Sequence, residues 1–540
     1  MGNDRSRALL FAAIGGLLAG VGLIEGSPGW MIAALALLWE ICWWPGAAAL
    51  WGGCAVLESH HWLLALHPLT WMGVPALLSL PVAVVIWLVC GFSAAGLIGI
   101  WAWLNNTLAR IARESASSSF LTEVSHALLM ACLWGLAEVV LAFSPLFWIG
   151  IGESLIPGDL WLAGLARMIG SGGLAALLLL LGWWLRRTAV VFRRGGAWLR
   201  PLFFGLLLLL LLHGLGWALL RPERSAATEM SAATASSAET SHSAKQPAFA
   251  AATSIQPTSS QPISIPAIPV GLWQPAIPTR SKFSEEQQRI LPFALEAALA
   301  DASAENVAWL MAPEGTLPAG QPLLTPAPLP LLTGGFRWVR GQQRSGVLVI
   351  EQGERQASKA IDKHRLVPIG EWLPTWLGGL TPGLSAVGGL APGSPSRLLR
   401  WSGPPVAVAI CYELSNGSAL AAAVAEGGQW LLAIANLDPY PIALQRQFLA
   451  LAQLRSIETA RDLVSVANTG PTALVSAAGQ SEQILEPMRA GLGIASVHLH
   501  DELSFYTRWR ELPLLAVSLI SGCCLVWPRI SWQQQRDESS

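Results

Sequence analysis

Residues 8 to 220 form an almost unbroken apolar stretch, and this stretch limits the possible folds more than any other feature. Runs such as Leu174–Leu185 and Pro201–Leu220 approach or reach the ~20 residues that a helix needs to cross a bilayer. The chain is only 12% charged, whereas about a quarter of a soluble protein is charged. The first apolar run could pass for a signal peptide, but the same character continues far beyond it. A large part of the chain is therefore expected to lie in a membrane.

Arginine clusters between the apolar runs predict how the chain crosses this membrane. Loops rich in Lys and Arg stay in the cytoplasm, so the following clusters are expected there: Arg5 and Arg7; Arg110 and Arg113; Arg186, Arg187, Arg193, Arg194 and Arg200; Arg529 and Arg536. Residues 1–220 are thus predicted to be a bundle of about seven transmembrane helices. Residues 511–540 are predicted to be a last transmembrane helix with a cytoplasmic tail.

Two charged residues, Glu138 and Arg167, lie inside or beside the predicted spans. Burying a charge in lipid costs at least ~2.5 kcal/mol, so both side chains are expected to face protein or a polar cavity. The small residues at positions 169–173 (IGSGG) permit close helix packing beside Arg167. Two interpretations stay open: these residues support a cleft in which lipid tails reach the active site, or they only anchor helices at the interface.

The chain beyond the first apolar region divides into two predicted parts. Residues 221–268 consist mostly of Ala, Ser, Thr and Pro, and they cannot bury enough apolar surface to offset the entropy of ordering, which predicts a flexible linker. Residues 269–510 contain short apolar runs that alternate with helical patterns, which is typical of an α/β domain. The net charge of −1 argues against a nucleic-acid partner. A single cysteine in this part, Cys411, excludes a disulfide framework.

The alternation in residues 269–510 predicts the positions of individual strands and helices. Strands are expected near Val270–Gln274, Val307–Met311, Gly346–Glu351, Val406–Ile410, Trp430–Ala435, Leu463–Ala467, Thr472–Ser476 and Gly493–Leu499. Helices are expected near Ser284–Ala300, Ser415–Glu426 and Ile442–Thr459, with Ser415 as the N-cap of the second helix.

Cys411 is the candidate nucleophile. It ends the apolar run Val406–Ile410, and the turn after it leads into an Ala-rich helix. A thiol lifted out of a strand end on a tight turn is exposed to substrate, and nearby backbone N–H groups can stabilise negative charge. A cysteine at a strand end is more often a small buried hydrophobic residue, so the prediction depends on its partners.

Glu314 and Lys363 supply the chemistry that a thiol nucleophile needs. Glu314 follows the apolar strand VAWLMAP, and Lys363 follows a strand–turn unit between Glu314 and Cys411. A carboxylate in a partly desolvated cleft can take the thiol proton. A Lys ammonium can stabilise the oxyanion of a tetrahedral intermediate and lower the pKa of the thiol. His364 stays a rival base for Cys411, although it would point the other way if Lys363 faces the cleft.

Several stretches carry a resemblance to known proteins. They are KHRLVPIGEWLP (363–374), AICYE (409–413), LAQLRSIETARDLVSVANTGPTALV (451–475), FYTRWRELP (505–513) and LWGLAEVVLAF (133–143). They resemble the carbon–nitrogen hydrolase (nitrilase) superfamily and, within it, the membrane-fused apolipoprotein N-acyltransferase family. The resemblance implies an α/β fold class, in which a nitrilase-like α-β-β-α sandwich is fused to a polytopic α-helical membrane bundle. It also implies an acyltransferase with a Glu–Lys–Cys catalytic set.

The resemblance assigns roles to particular residues. Carried over residue by residue, Glu314 would be the general base, Lys363 the oxyanion-stabilising residue and Cys411 the nucleophile. Glu371 and Glu413 match further acidic positions around the active site. For these two, a role as structural carboxylates that orient the lysine and its loop stays equally open.

The resemblance also implies substrate-binding positions at Phe283, Tyr412 and Asn436. The chain departs from the family at Phe283, where the family tends to have Trp. It departs again in ANLDPYP (435–441), where the aromatic residues of an Asn-Asp loop are replaced. Both departures concern the lipid-facing rim of the site. No metal and no cofactor are expected.

The implied reaction moves an acyl chain from a phospholipid, through a thioester on Cys411, to the α-amino group of a lipoprotein's diacylglyceryl-cysteine. The expected partners are a phospholipid donor, a lipoprotein acceptor and membrane lipids, and the protein is expected to be a monomer. It would lie in the inner (plasma) membrane, with the catalytic domain on the outer (periplasmic) face. Two alternatives stay open: an externally facing amidase or nitrilase, and a non-catalytic membrane transporter or scaffold.

Overall fold

The structure is a computed structural model. It describes residues 2–72, 74–114, 120–144, 149–221, 267–282, 284–368, 370–372 and 389–537. Phe283 and nearly all of the predicted linker lie outside the described residues, so the predictions made for them stay predictions.

All regular secondary structure in the described residues of the N-terminal region is helical. Its helices are α1 (Gly2–Glu25), α2 (Pro28–Ile41), α3 (Pro45–Ser59), α4 (Ala76–Glu114), α5 (Phe120–Ala142), α6 (Leu160–Ala163), α7 (Ala166–Arg193) and α8 (Leu199–Leu220). Short 3₁₀ segments occupy His61–Leu66, Leu69–Met72 and Ile151–Leu155. We call this region the membrane bundle.

Several helices are long and apolar enough to cross a membrane. Among the described residues there are five such stretches: Asp4–Glu25, Ala76–Arg110, Phe120–Ala142, Ala166–Arg193 and Leu199–Leu220. Two shorter apolar helices are Pro28–Ile41 and Leu512–Leu525. A chain with these helices is a membrane protein. The number of spans and their boundaries stay predictions.

The region that follows contains two six-stranded sheets. We call it the catalytic domain because the predicted residues Glu314, Lys363 and Cys411 lie in it. The first sheet has the order β12-β1-β2-β3-β4-β5 and consists of β1 (Ala267–Gln274), β2 (Leu310–Leu317), β3 (Leu331–Val339), β4 (Gln342–Ile350), β5 (Lys359–Asp362) and β12 (Gly491–His498). The second has the order β11-β10-β9-β8-β7-β6 and consists of β6 (Leu398–Leu399), β7 (Val406–Ile410), β8 (Trp430–Ala435), β9 (Leu463–Ala467), β10 (Thr472–Val475) and β11 (Ser481–Leu485). In both sheets the central strands run parallel, namely β1, β2 and β3 in the first and β7, β8 and β9 in the second.

Helices pack on the outer face of each sheet. The described helices after β1 are α9 (Thr279–Lys282), α10 (Glu285–Ala304), α11 (Gly417–Ala425), α12 (Ile442–Thr459), α13 (Phe505–Trp509) and α14 (Leu512–Asp537). Of these, α10, α11 and α12 cover the sheets. Aliphatic side chains of both sheets, such as Met311 and Val408, share one buried core between the sheets. A second core joins α10 to the first sheet, and a third joins α11 and α12 to the second sheet. The layers are therefore α-β-β-α, and the predicted fold class is confirmed.

The membrane bundle and the catalytic domain share a hydrophobic core. Ala450, Leu454 and Ile457 on α12 belong to the same buried cluster as the helices of the bundle. One side of α12 thus packs under the second sheet, and another side packs on the bundle. Hydrophobic burial on both sides fixes this helix between the two regions.

Some predicted elements differ from the structure. The strands β3, β5, β6 and β11 were not predicted, and Glu314 lies within β2 rather than after it. The sequence of β3 contains Gly334 and Gly335, which usually weaken a strand. A Cβ at Gly334 would approach the backbone of Glu314 to within 2.4 Å, so the close pairing of β3 with β2 requires a glycine there.

Candidate active site

Cys411 lies at the carboxyl end of β7, where predicted. β7 spans Val406–Ile410 and is buried throughout, and Cys411 opens a 3₁₀ turn that continues to Ser415. The φ of Cys411 is 54°, a left-handed conformation that is uncommon for a residue with a Cβ. Such strain costs ~1–3 kcal/mol and clusters at functional sites. The turn aims the residue away from the strand direction.

The N-cap of the helix after this turn differs from the prediction. The side chain of Asn416, not Ser415, accepts the hydrogen bond from the backbone N–H of Ala419, at 3.1 Å. The hydroxyl of Ser415 instead donates to the carbonyl of Tyr412, at 2.9 Å. Ser415 is not the N-cap because it is the last residue of the 3₁₀ turn, and α11 begins only at Gly417.

Glu413 ties the Cys411 turn to the loop that carries Lys363. Its carboxylate accepts backbone hydrogen bonds from Ile410 at 3.0 Å, from His364 at 2.8 Å and from Arg365 at 3.0 Å. It also forms a buried ion pair with Arg397 at 3.0 Å. With its oxygens engaged in this way, Glu413 acts as a structural carboxylate that holds the two loops together.

Lys363 is the centre of the site. Its ammonium is 1% exposed and donates to Glu314 Oε1 at 2.7 Å and to Glu371 Oε1 at 2.8 Å. Burial alone would lower the pKa of Lys363, but Glu314 and Glu371 outweigh it and raise that pKa well above its usual range. Lys363 is therefore a fixed positive charge at any physiological pH.

Glu371 is held by the same lysine. Its second carboxylate oxygen, Oε2, accepts a hydrogen bond from the backbone N–H of Val367 at 2.9 Å. Burial raises the pKa of Glu371, and the neighbouring Glu314 charge raises it further, although Lys363 opposes both. Glu371 orients the ammonium of Lys363 from the side opposite Glu314.

Groups from the end of β8 and from α9 position Glu314. Its Oε2 atom accepts a hydrogen bond from the backbone N–H of Asn436, at 3.2 Å. The buried ammonium of Lys282 donates to the backbone carbonyl of Glu314, at 2.7 Å. Burial lowers the pKa of Lys282 to about 8. Sequence reasoning missed Lys282, because a lone lysine in a polar segment is usually solvated, and nothing local signals a contact with Glu314.

The electrostatics of Cys411 differ from the sequence-based expectation. Burial raises the pKa of the Cys411 thiol, and the negative charge of Glu314 raises it further. Lys363 and a hydrogen bond from the backbone of Tyr412 lower this pKa, as expected of a cation and a donor. Their effect is smaller than the combined effect of burial and the acidic neighbours. The resting nucleophile is therefore a neutral thiol, and its proton must leave as it attacks.

The remaining predicted residues contact protein groups. The hydroxyl of Tyr412 donates to the carbonyl of Leu366, and the amide of Asn436 donates to the hydroxyl of Thr279 at 3.1 Å. The ring of His364 is exposed and contacts the carbonyl of Gly393 at 2.9 Å. The substrate-binding roles of Tyr412, Asn436 and Phe283, the last of which lies outside the described residues, stay predictions.

Both regions of the molecule contribute apolar side chains that pack against the buried cluster containing Cys411. Trp62 and Ile149 of the membrane bundle, with Val367 and Tyr440 of the catalytic domain, pack against the buried cluster that contains Cys411. The rings of Trp62 and Tyr440 meet edge to face, 5.5 Å apart. The described residues contain no group of three or more His, Cys, Asp or Glu side chains that could hold a metal ion. The site offers a thiol, a carboxylate and a fixed ammonium beside apolar surface.

Sequence similarity to known proteins identifies the family of this chain. No family model matches it. It is 61% identical to an apolipoprotein N-acyltransferase of Prochlorococcus marinus strain MIT 9313, over 98% of this chain and 99% of that protein. It is 50% identical to the protein of the same name from Parasynechococcus marenigrum strain WH8102, over 94% and 98%. A second Prochlorococcus marinus protein of that name, from strain SARG, is 47% identical over 96% of both chains.

Similar solved structures cover only part of the chain. A mutant of an amidase of the nitrilase superfamily from Nesterenkonia is 16% identical, with a TM-score of 0.33 over 47% of this chain and 97% of its own. Nit3 of Saccharomyces cerevisiae, another member of that superfamily, is 14% identical, with a TM-score of 0.33 over 43% and 90%. The family rests on the sequence relatives, whose similarity extends over nearly the full length of both proteins. The chain is an enzyme that belongs to the apolipoprotein N-acyltransferase family.

Proposed function

We propose that this enzyme transfers an acyl chain from a phospholipid to the α-amino group of a lipoprotein's N-terminal diacylglyceryl-cysteine, through a thioester on Cys411. The observation that carries the proposal is the buried ammonium of Lys363, held between Glu314 and Glu371 beside the Cys411 turn. The relatives, named apolipoprotein N-acyltransferases, support a lipoprotein as the acceptor. The family resemblance implies a phospholipid as the donor, and the apolar side chains packed against the Cys411 cluster support it.

In the first half-reaction Glu314 takes the proton of the Cys411 thiol while the sulfur attacks the ester carbonyl. This coupling is necessary because the raised pKa of Cys411 prevents a resting thiolate. Negative charge moves to the carbonyl oxygen, where the Lys363 ammonium stabilises it. The ester C–O bond then breaks, and Glu314 returns the proton to the departing lysophospholipid oxygen. The products are an acyl thioester on Cys411 and a lysophospholipid.

The second half-reaction uses Glu314 and Lys363 in the same roles, with Cys411 as the leaving group. The free amine of the diacylglyceryl-cysteine attacks the thioester carbonyl, and Glu314 accepts a proton from the attacking nitrogen. Lys363 again stabilises the oxyanion. The C–S bond breaks, an amide forms, and the proton passes from Glu314 to the sulfur of Cys411. No redox partner is required, and Glu314, Lys363 and Cys411 all return to their starting state.

The fusion to a membrane bundle fits these substrates. Both the donor and the acceptor carry acyl chains that stay in one leaflet of a bilayer, so the reacting atoms must meet at its surface. Trp62 and Ile149 extend the apolar surface of the bundle to the Cys411 cluster. Apolar contact at this place can hold an acyl chain while its carbonyl reaches the sulfur.

We also propose how the molecule is divided and placed. Residues 1–220 are the membrane bundle, 221–268 the linker, 269–510 the catalytic domain and 511–540 the last transmembrane helix with its tail. The arginine clusters support an inner-membrane protein with its catalytic domain on the periplasmic face. The proposal includes a monomeric enzyme.

A partition experiment tests the proposal. The purified full-length enzyme in phospholipid nanodiscs is incubated with a phospholipid labelled in its acyl chain. After removal of free lipid, either a diacylglyceryl-peptide or buffer alone is added. Transfer of label to the α-amine, with slow loss of label to water, is expected. Rapid release of labelled fatty acid without transfer would instead identify a hydrolase, and no labelled enzyme at all would contradict the thioester.

A further inference from the structure

A cluster of charged side chains lies buried where the catalytic domain meets the membrane bundle. Its centre is Arg455 on α12, which is 0% exposed, beside Glu458, also 0% exposed. Glu153, from the 3₁₀ segment Ile151–Leu155 of the bundle, faces them and is 8% exposed. Among the described residues, the ion pairs of this cluster are separate from those of the Glu314–Lys363–Glu371 group, so the proposed reaction leaves the purpose of the cluster open.

The cluster joins the two regions by ion pairs and a hydrogen bond. Arg455 Nη2 lies 3.5 Å from Glu153 Oε1, and Arg455 Nη1 lies 3.1 Å from Glu458 Oε2. The other oxygen of Glu458 accepts a hydrogen bond from the backbone N–H of Ser171 on α7, at 2.7 Å. Arg455 and Glu458 are thus held by two separate elements of the bundle.

The same cluster supports the helix that follows the nucleophile. Gly417, the first residue of α11, packs so closely that a Cβ there would lie 1.8 Å from Arg455 Nη1 and 2.3 Å from Glu458 Oε2. Ser415, Asn416 and Gly417 line a small cavity together with Glu153. The guanidinium of Arg455 therefore packs directly against the start of α11, two residues after the Cys411 turn ends.

The cluster contains more carboxyl groups than arginines. The carboxylates of Glu138, Glu153 and Glu511 line the same cavity, Glu458 adds a fourth, and Arg455 is the cation that pairs with Glu153 and Glu458. Buried charges without a partner are costly, and removal of one member of a buried pair is worse than removal of both. The ion pairs with Glu153 and Glu458 therefore hold the Arg455 guanidinium in one position.

We propose that Arg455, anchored by Glu153 of the membrane bundle, is a positioning residue that holds the Cys411 turn at the height required for attack. The inference rests on the proposed role of Cys411. The membrane bundle then does more than bring the enzyme to its lipid substrates, because one of its carboxylates fixes the support of the nucleophile. Arg455 itself touches no reacting atom.

The test uses the full-length enzyme in nanodiscs and the variants Arg455→Met, Arg455→Lys, Glu153→Gln and the double variant Arg455→Met/Glu153→Gln. The matched control is Arg446→Met, an exposed arginine on the same helix. For each folded variant we measure the single-turnover rate of thioester formation at saturating phospholipid, the KM for phospholipid, and alkylation of Cys411 by iodoacetamide, followed by peptide mass spectrometry. Thermal unfolding reports stability separately.

Arg455→Met is expected to slow thioester formation at least tenfold and to change the alkylation rate of Cys411, with little change in KM. Arg455→Lys should retain more of the rate. Adding Glu153→Gln to Arg455→Met should recover part of the loss, since it removes a carboxylate left without its partner. Arg446→Met should match the wild type. Folded Arg455→Met with wild-type acylation and alkylation rates would overturn the proposal.

If Arg455→Met fails to fold, Glu153→Gln and Gly417→Ala decide the matter. Gly417→Ala displaces the guanidinium without changing any charge, so a slower acylation rate is expected in both variants. Wild-type rates in both would overturn the inference. A Cys411→Ala enzyme that still forms a thioester would instead contradict the proposed site, so the two failures are distinguishable.

Discussion

Buried charges occur in both regions of this enzyme, but they have different partners. In the catalytic domain Lys363 faces two other ionisable side chains, Glu314 and Glu371, which converge near a reactive thiol. In the membrane bundle Glu138 accepts hydrogen bonds from the Trp134 indole at 2.8 Å and from the backbone of Ile151 at 3.0 Å. The group around Lys363 makes chemistry possible because it converges near a thiol, whereas the carboxyl group of Glu138, satisfied by neutral donors, holds the fold together.

Arg167 illustrates the second use. Its guanidinium donates to the carbonyl of Leu219, at the end of α8, and to the carbonyl of Ala477 in the catalytic domain, the latter at 2.6 Å. The expectation that Glu138 and Arg167 face protein agrees with these contacts. For Arg167 the contacts favour the structural interpretation over a role in a lipid cleft, because it joins three elements through backbone groups.

The largest expected effect in this comparison comes from Lys363→Ala. Loss of one oxyanion-stabilising group costs on the order of 3–4 kcal/mol, or about 10²–10³ in rate. Thioester formation per folded molecule should fall by that factor. Glu314 and Glu371 also lose their buried partner, which destabilises the fold, so the abundance of folded enzyme is measured separately. Lys359→Ala, an exposed lysine on β5, is the matched control. Near-normal thioester formation in the Lys363 variant would mean that another cation stabilises the oxyanion.

A smaller effect, on stability rather than on rate, is expected from Arg167→Met. The change leaves two carbonyl oxygens without their charged donor, and hydrogen bonds to charged groups are worth ~1.5–3 kcal/mol each. The melting temperature and abundance should fall, while the acylation rate per folded molecule stays near that of the wild type. Arg194→Met, an exposed arginine just after α7, controls for the loss of charge. A lower rate at normal abundance would favour the cleft interpretation.

The smallest effect is expected from Asp362→Asn, next to the catalytic lysine. Burial would raise the pKa of Asp362, but Arg337 at 2.6 Å and Arg344 at 3.1 Å outweigh it, so that pKa lies below its ordinary value of 3.8. The ionised form therefore stabilises the fold above pH 3.8, and this contribution is lost as the pH falls through the lowered pKa.

Both arginines are partly exposed, so the two ion pairs of Asp362 together contribute ~1 kcal/mol to the free energy of unfolding. Denaturant unfolding at neutral pH should show a loss of that size in Asp362→Asn, and the difference from the wild type should shrink below pH 3.8. The exposed Glu354→Gln is the control. An unchanged difference across this range would show that the ion pair contributes nothing to stability.

The sequence predicted the parts of this structure that depend on local patterns. The apolar run Val406–Ile410 and the helix Ile442–Thr459 have the bounds that were predicted. The strand is uniformly apolar and the helix is long, so local sequence determines the secondary structure of both. The resemblance to a family supplied the Glu314–Lys363–Cys411 set, and the structure brings Glu314 and Lys363 into direct contact.

What the sequence missed depends on contacts between distant residues. Lys282 is buried because it meets the carbonyl of a residue 32 positions away. Gly334 belongs to a strand because it packs on the backbone of Glu314. Arg455 lies in a helix that was predicted, but its partner Glu153 comes from the other region of the molecule, 302 positions away. No local pattern encodes such contacts.

The central claim is that acyl transfer passes through Cys411, and mass spectrometry of the enzyme tests it most directly. The full-length protein in nanodiscs is incubated with a phospholipid, digested and mapped, with Cys411→Ala as the control. The account predicts the added mass of one acyl chain on the peptide that contains Cys411, removable by hydroxylamine and absent from the control. Acylation of the lipoprotein amine by an enzyme that carries no adduct on Cys411, or by the Cys411→Ala variant, would contradict it.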